Sequence, residues 1–232
     1  MSRSVYIGRS GTGKTTLLIS KLREWMKVVP KKKRMLIVIS PTAPLQEIYK
    51  NIKTNITHYF SDIDETVTSD LYSICQRNAK KPEKQQKEIV IVIDDLGESN
   101  FMKRTNKQNM LNSIIVTARH MKVHLCFLFQ RMKQATNSLR DNADVIYLFK
   151  VEDVDQRKQF KNSFCGALTE EQFVKLTNEA WKAPFGYLKI DRRDPQSVKY
   201  FLNEEEIDPT GLQFYFFIIL CIPLNLKNFV LN

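Results

Sequence analysis

Gly8-Arg9-Ser10-Gly11-Thr12-Gly13-Lys14-Thr15 matches the pattern G-x-x-x-x-G-K-[ST], and its surroundings give the match its meaning. A short apolar run, Val5-Tyr6-Ile7, leads into it as a strand, and Thr16-Leu17-Leu18-Ile19-Ser20-Lys21-Leu22 leaves it as an apolar-periodic helix reaching Met26. Glycines let successive backbone N–H groups turn inward around a phosphate, and the helix they open adds roughly half a positive charge at its N-terminus. In such a cradle, formed here by Gly8, Arg9, Ser10, Gly11, Thr12, Gly13, Lys14, Thr15 and Thr16, the lysine reaches the β- and γ-phosphates of a nucleotide. The hydroxyl of Thr15 is placed to ligate Mg²⁺.

What faces the loop decides the chemistry. Ile89-Val90-Ile91-Val92-Ile93 is an unbroken β-branched run, the pattern of a strand buried on both faces of a parallel sheet, and Asp94-Asp95 closes it at the end where such sheets bind ligands. This is a Walker B signature: Asp94 holds the Mg²⁺ shell, and Asp95 is positioned to orient or polarise an attacking water. Paired acids also cap helices, but that reading loses weight beside Lys14 and Thr15. Asp is a methylene shorter than the Glu that many proteins of this class carry second, which shortens its reach to the water. A third apolar run, Val123-His124-Leu125-Cys126-Phe127-Leu128-Phe129, stops at Gln130, whose amide can bond a γ-phosphate or the lytic water and so sense hydrolysis.

Arg119-His120-Met121-Lys122-Val123-His124-Leu125, running on to Gln130-Arg131, resembles the segment of the FtsK/HerA motor ATPases in which an Arg precedes an Ile/Val-His-Leu strand ending in Gln-Arg. The Arg119-His120 pair is similar to the viral branch of that class, the poxvirus-type genome-packaging ATPases, and so is Arg140-Asp141-Asn142-Ala143-Asp144 leading into Val145-Ile146-Tyr147-Leu148-Phe149. With the two Walker elements the likeness covers residues 4 to 150, and Phe185 to Asp191 fits as a last strand. The resemblance implies a ring-forming, ATP-driven translocase of double-stranded DNA from a large DNA virus, virophage or virus-like transposon, working with capsid or portal-vertex proteins at a viral assembly site in the host cell or in the virion. It also implies an arginine finger supplied across the ring, for which Arg119 and Arg140 are the candidates, each equally readable as a salt-bridge residue. Cellular pumps of the class carry membrane helices or further domains ahead of the motor, whereas here the motor begins almost at Met1.

Composition agrees. The chain has 232 residues, of which 43% are hydrophobic, enough for one α/β domain with a modest appendage. A formal net charge of +11 favours a polyanionic partner held through its backbone, although a Lys-rich composition alone also arises from AT-rich coding. Basic clusters lie at Lys31-Lys32-Lys33-Arg34, Lys80 to Lys87, Lys103-Arg104 and Arg131 to Lys133, the first two readable as solvated faces. Cys75, Cys126, Cys165 and Cys221 lack metal or disulfide spacing, as do His58, His120 and His124, the last of which should pack or bond within its strand. No leader precedes the first strand, so a reducing, intracellular compartment is expected.

Between the motifs, Met35 to Ile39 reads as a second strand ended by Pro41 and Pro44, followed by helices over 45–53 and 70–78, the latter capped by Ser69 or Asp70. A helix over 106–119 should join the Walker B strand to the Gln130 strand, another should fill Val151 to Phe164, and Thr169-Glu170-Glu171-Gln172 has the form of a capping box. The expected fold is an α/β P-loop NTPase of the additional-strand type, a mainly parallel sheet between helices, over residues 1–195. A tail over 196–232 carries an apolar stretch. From Leu212 to Leu226 it would span only roughly 22 Å as a helix against a bilayer core of about 30 Å, which argues against a membrane span and leaves an interface segment, a partner-binding tail or an irregular terminus.

Three rivals stay open. Asp94-Asp95-Leu96-Gly97 also fits the D-x-x-G of a GTPase, but Asn106-Lys107-Gln108-Asn109 has Asn where guanine reading needs Asp. A small-molecule kinase would share the phosphate loop but lack Gln130 and gain nothing from DNA. A nucleotide-binding assembly factor without turnover is favoured only by Asp95 in place of Glu.

Overall fold

A computed structural model describes residues 3–96, 110–194 and 196–209. Its strands are β1 (Arg3–Ile7), β2 (Arg34–Ile39), β3 (His58–Phe60), β4 (Glu88–Asp94), β5 (Val123–Phe129), β6 (Val145–Phe149), β7 (Tyr187–Asp191), β8 (Lys199–Leu202) and β9 (Glu205–Ile207). They form one sheet in the order β3-β2-β4-β5-β1-β6-β7-β8-β9. The six strands from β3 to β6 pair in parallel, and β7, β8 and β9 add to them antiparallel. β5, the strand that ends at Gln130, lies between the phosphate-loop strand β1 and the Walker B strand β4, which is the arrangement of the additional-strand class.

The continuous apolar runs divide by the two-residue period of a strand. Ile7, Ile37, Ile39, Ile91, Ile93, Leu125 and Phe127 face one layer of the core, whereas Tyr6, Leu36, Val38, Val90, Val92, Cys126 and Leu128 face the other. Helices α1 (Lys14–Val28) and α2 (Glu47–Lys50) cover the second face through Leu18, Ile19, Leu22, Trp25 and Tyr49. The first face is covered by α3 (Glu65–Ala79), α4 (Met110–Thr117), α5 (Asn137–Asn142), α6 (Val154–Phe164) and α7 (Glu170–Ala180). Burial on both sides is why these strands show no polar alternation.

Several elements depart from the sequence expectation. α3 begins at Glu65, five residues before the expected start, because the Asp64 side chain accepts a hydrogen bond from the Val67 N–H at 2.7 Å and so caps a first turn whose Thr66-Val67-Thr68 run disguises it. The helix expected over 45–53 shrinks to Glu47–Lys50, since the chain turns at Thr42, whose carbonyl accepts from Leu45 and Gln46, and leaves the helix again at Asn51. The capping box at Thr169 and Gln172 forms as read, opening α7. β3 is exposed and too short to show a pattern, and β8 and β9, each of only three or four residues, carry the sheet past residue 195. The 106–109 portion of the expected helix, Gly97, the 106–109 tetrad, the Lys103-Arg104 cluster, Cys221 and the 212–226 apolar stretch lie outside the described residues. Among the described residues no helix is long and apolar enough to cross a membrane.

At the edge where β1 and β6 begin, Arg3 and Asp144 form a buried clamp. Asp144 accepts from the Arg3 backbone N–H at 3.0 Å, from Nε at 3.1 Å and from Nη2 at 2.8 Å, and also from Arg119. Burial alone pushes the Asp144 carboxyl up, but the hydrogen bonds from Arg3 and Arg119 outweigh it and hold it below the usual carboxylate range. A depressed carboxyl contributes stability above its unfolded value, and that stability is lost as pH falls through the folded value. Asp144→Ala should therefore cost about 3–5 kcal/mol at neutral pH by leaving Arg3 unpaired, as read from urea unfolding. In wild type the clamp's contribution should fade below about pH 4.

Candidate active site

The phosphate loop follows β1, and its glycines meet different demands. A Cβ on Gly8 would come within 2.6 Å of the Phe149 Cβ, so only glycine lets the loop lie against β6. Gly11 and Gly13 adopt left-handed φ values of 78° and 96°. Gly13 is the N-cap of α1 and supplies no side-chain acceptor, which leaves the first-turn N–H groups available to an anion. The Lys14 amine is folded back onto the carbonyls of Gly8 and Arg9 at 2.6 and 2.7 Å. Burial lowers its pKa, while the nearby Asp94 and Asp95 oppose that shift.

Two strands away in the sheet, β4 delivers the carboxylates. Asp94 is buried and accepts a 2.7 Å hydrogen bond from the Tyr49 hydroxyl on α2. Burial pushes its carboxyl up to about 6; the Tyr49 hydrogen bond and Lys14 work against the shift, and Asp95 adds to it. Asp95 sits at a left-handed φ of 60° just past the strand. Its Oδ1 accepts from the Gln130 amide at 3.0 Å and its Oδ2 from the Thr42 hydroxyl at 3.3 Å. Gln46 in turn donates to the Thr42 hydroxyl at 2.8 Å. β5 lies between β1 and β4, so Gln130 emerges between the loop and the aspartates.

These groups line a cleft of about 360 Å³, whose walls include Ser10, Gly11, Gly13, Lys14, Thr15, Thr16, Asp94, Asp95 and Gln130. Gly8, Arg9 and Thr12 stand behind the lining: Gly8 packs on Phe149, the Arg9 guanidinium pairs with Glu152 at 2.7 Å, and the Thr12 hydroxyl donates to the Arg9 carbonyl at 2.8 Å. Arg119 and Arg140 do not line the cleft. Arg119 precedes β5 and Arg140 precedes β6, at the opposite edge of the parallel strands. Arg119 pairs with Asp144 while its side chain stays 57% exposed, and Arg140 donates to the Ala135 carbonyl and the Asn137 side chain. His124 Nε2 lies 2.9 Å from the Glu88 Oε1 on the neighbouring β4, within hydrogen-bond distance. Cys75, Cys126 and Cys165 are buried free thiols.

Several residues of the site belong to no sequence motif. Thr42, Gln46 and Tyr49 lie on the connection after β2, and Phe185 precedes β7; each reaches the cleft or its carboxylates through the sheet order alone. Only the Pro41-Thr42-Ala43-Pro44 stretch, ending a buried strand, hinted at a fixed loop there.

A parallel sheet with an inserted strand, a phosphate loop and paired aspartates at one edge define a P-loop NTPase of the additional-strand class. A model of the Poxvirus A32 protein family matches residues 2–167, well over half of the chain, and the chain belongs to that family, within the FtsK/HerA superfamily of P-loop ATPases. Among curated relatives it is 25% identical over 176 residues to uncharacterized protein 015R of Frog virus 3 (isolate Goorha), covering 74% of this chain and 51% of that protein. It is 22% identical over 183 residues to uncharacterized protein 088R of Invertebrate iridescent virus 3, covering 78% and 66%. The chain thus spans between half and two thirds of the length of these relatives. Among solved structures, B204, the DNA-packaging ATPase from Sulfolobus Turreted Icosahedral Virus, has the same fold, with a TM-score of 0.62, 17% identity, and coverage of 85% of this chain and 95% of that one.

The raised Asp94 carboxyl marks a stability cost. A group whose folded pKa is raised is favourable to the fold only when protonated, so charged Asp94 opposes folding above about pH 6. Asp94→Asn should therefore raise the stability of the nucleotide-free protein at pH 8 by about 1–3 kcal/mol, with the gain shrinking as pH falls toward 5, measured by thermal melts across that range.

Proposed function

We propose that this chain is an ATP-driven translocase of double-stranded DNA that packages a viral genome. The observation that carries the reading is the meeting of Lys14, Asp94, Asp95 and Gln130 around one cleft in a chain of the Poxvirus A32 family. In this mechanism the loop N–H groups cradle the phosphates, and Lys14 leaves the Gly8 and Arg9 carbonyls to take the β- and γ-phosphates. Those two carbonyls hold the amine in the cleft until a stronger acceptor arrives.

The donor set suits Mg²⁺, which takes hard oxygen ligands, keeps several waters and needs only one or two carboxylates beside the substrate phosphates. Among the described residues there is no cluster of three or more His, Cys, Asp or Glu that would mark a softer or all-protein metal cage. Thr15 and Asp94 would hold the ion, which would neutralise charge developing on the phosphates. Tyr49 fixes the Asp94 carboxylate from behind. Asp95 orients the attacking water; the hydrogen bonds from Gln130 and Thr42 fix the shorter acid in place. Because Gln130 is already bonded to Asp95, loss of the γ-phosphate is felt at both residues together.

The arginine finger comes from a neighbouring copy in a homo-oligomeric ring. Arg119, more than half exposed at the edge opposite the cleft, and Arg140 are the groups available to reach into the next subunit. Such a finger is worth about 10³–10⁵ in rate in other NTPases. The charge of +11 suits a DNA backbone, and capsid or portal-vertex proteins would anchor the ring at the site of assembly. Structures of the similarly folded genome packaging NTPase B204 from Sulfolobus turreted icosahedral virus 2 in complex with AMP, AMPPCP and ATP-gammaS support a nucleotide in this cleft.

Phosphate release measured while duplex DNA is titrated in, at several salt concentrations, tests the proposal. DNA should stimulate turnover, and the logarithm of the apparent DNA affinity read from the titration should fall against log salt with a slope of about −0.9 per phosphate contacted. Lys14→Ala should abolish turnover with and without DNA. DNA-stimulated hydrolysis by a folded Lys14→Ala protein would refute the site, and turnover indifferent to DNA would favour a small-molecule kinase.

A further inference from the structure

Phe185 stands in the cleft wall with no part in phosphate chemistry. The residue is 69% exposed, and its backbone holds a left-handed φ of 62°, a conformation that bulky residues avoid. The turn that presents it is fixed on both sides. Gly186 donates to the Ala183 carbonyl at 3.1 Å, and a Cβ on Gly186 would fall 1.9 Å from the Ala180 carbonyl oxygen, so no other residue fits. Tyr187, the next residue, packs on Phe149 with ring centroids 5.3 Å apart. The ring itself lies over the end of the phosphate loop: a Cβ on Gly13 would meet Phe185 Cβ at 3.1 Å and Cδ1 at 3.3 Å.

The sheet order gives this ring its place along a ligand. β4, with Asp94 and Asp95, lies two strands from β1 on one side, and β7 lies two strands from β1 on the other. A triphosphate whose terminal phosphate meets Asp94, Asp95 and Gln130 therefore runs across the loop with its nucleoside end toward β6 and β7. There the wall offers a rigidly held, solvent-facing aromatic surface.

We propose that Phe185 is the stacking platform for the nucleobase, the contact by which this site prefers a nucleoside triphosphate to a bare polyphosphate. The proposal rests on the nucleotide reading of the cleft. Stacking engages the face of a base, so it does not by itself separate adenine from guanine. An exposed ring held against the backbone's preference is also the arrangement expected of a contact kept for a ligand rather than for the core.

The test compares binding of ATP, GTP and inorganic tripolyphosphate to the full chain by calorimetry. Phe185→Asn removes the ring, and asparagine tolerates the left-handed backbone. It should weaken ATP and GTP by about 5- to 100-fold while leaving tripolyphosphate within about twofold of wild type, and Phe185→Tyr should restore nucleotide binding. Unchanged ATP affinity in Phe185→Asn overturns the proposal. So do equal losses for ATP and tripolyphosphate in a Phe185→Asn protein that melts at the wild-type temperature. A wild-type chain that binds tripolyphosphate and ATP equally well overturns the stacking contact alone, whereas one that binds neither overturns the phosphate site and this contact with it.

Discussion

The parallel pairing of β5 between β1 and β4 is the constraint on which the site depends. Parallel strands end at the same edge, so the register that sets Ile7 beside Phe129 and Asp94 beside Leu128 brings the phosphate loop, Gln130 and the aspartates out together. The Gly8 N–H extends that ladder by one bond, donating to the Phe129 carbonyl at 3.1 Å, and so ties the first residue of the loop to the strand that carries the glutamine. Burial of these strands on both faces holds the register, because a slip of one residue would exchange the two apolar layers and pull every motif out of line.

The two edges of the parallel strands are built to opposite ends. At the edge where the strands begin, Arg3, Arg119 and Asp144 satisfy one another and the carboxyl is held charged. At the edge where they end, a carboxyl is desolvated and two residues, Asp95 and Phe185, sit in left-handed backbone, each at a cost on the order of 1–3 kcal/mol. Cleft-side residues are thus arranged for a ligand, and the opposite edge and the two apolar layers offset what that arrangement costs. Among the described residues no buried side-chain polar atom is left without a partner, so the strain is confined to backbone and charge.

One short connection touches both acids. After β2, Thr42 reaches Asp95, Gln46 reaches Thr42 and lines the cleft, and Tyr49 reaches Asp94. A displacement of this segment would therefore be felt by Asp94 and Asp95 at once. Its end is secured by Tyr49 and Ile52 in the core layer under α1, which makes it a stiff arm and not a loose loop.

The sequence by itself determined the phosphate loop, the paired acids, the strand-ending glutamine and the alternation of strands and helices, because each is written in contiguous residues: glycines where φ must be positive, β-branched runs where both faces are buried, and a Thr-Glu-Glu-Gln box where a helix starts. Even there, the first turn of α3 was hidden by a β-branched run that the Asp64 cap overrode. Only the tertiary structure decided what meets those motifs. Thr42, Gln46 and Tyr49 matter because β2 pairs with β4, a choice made by strands some fifty residues apart. Phe185 faces the loop because β7 runs antiparallel to β6, which returns the chain to the cleft edge after α6 and α7; local pattern does not encode strand direction, since a period of two reads the same both ways. The positions of Arg119 and Arg140, on the far edge of the sheet from the cleft, follow from the same packing.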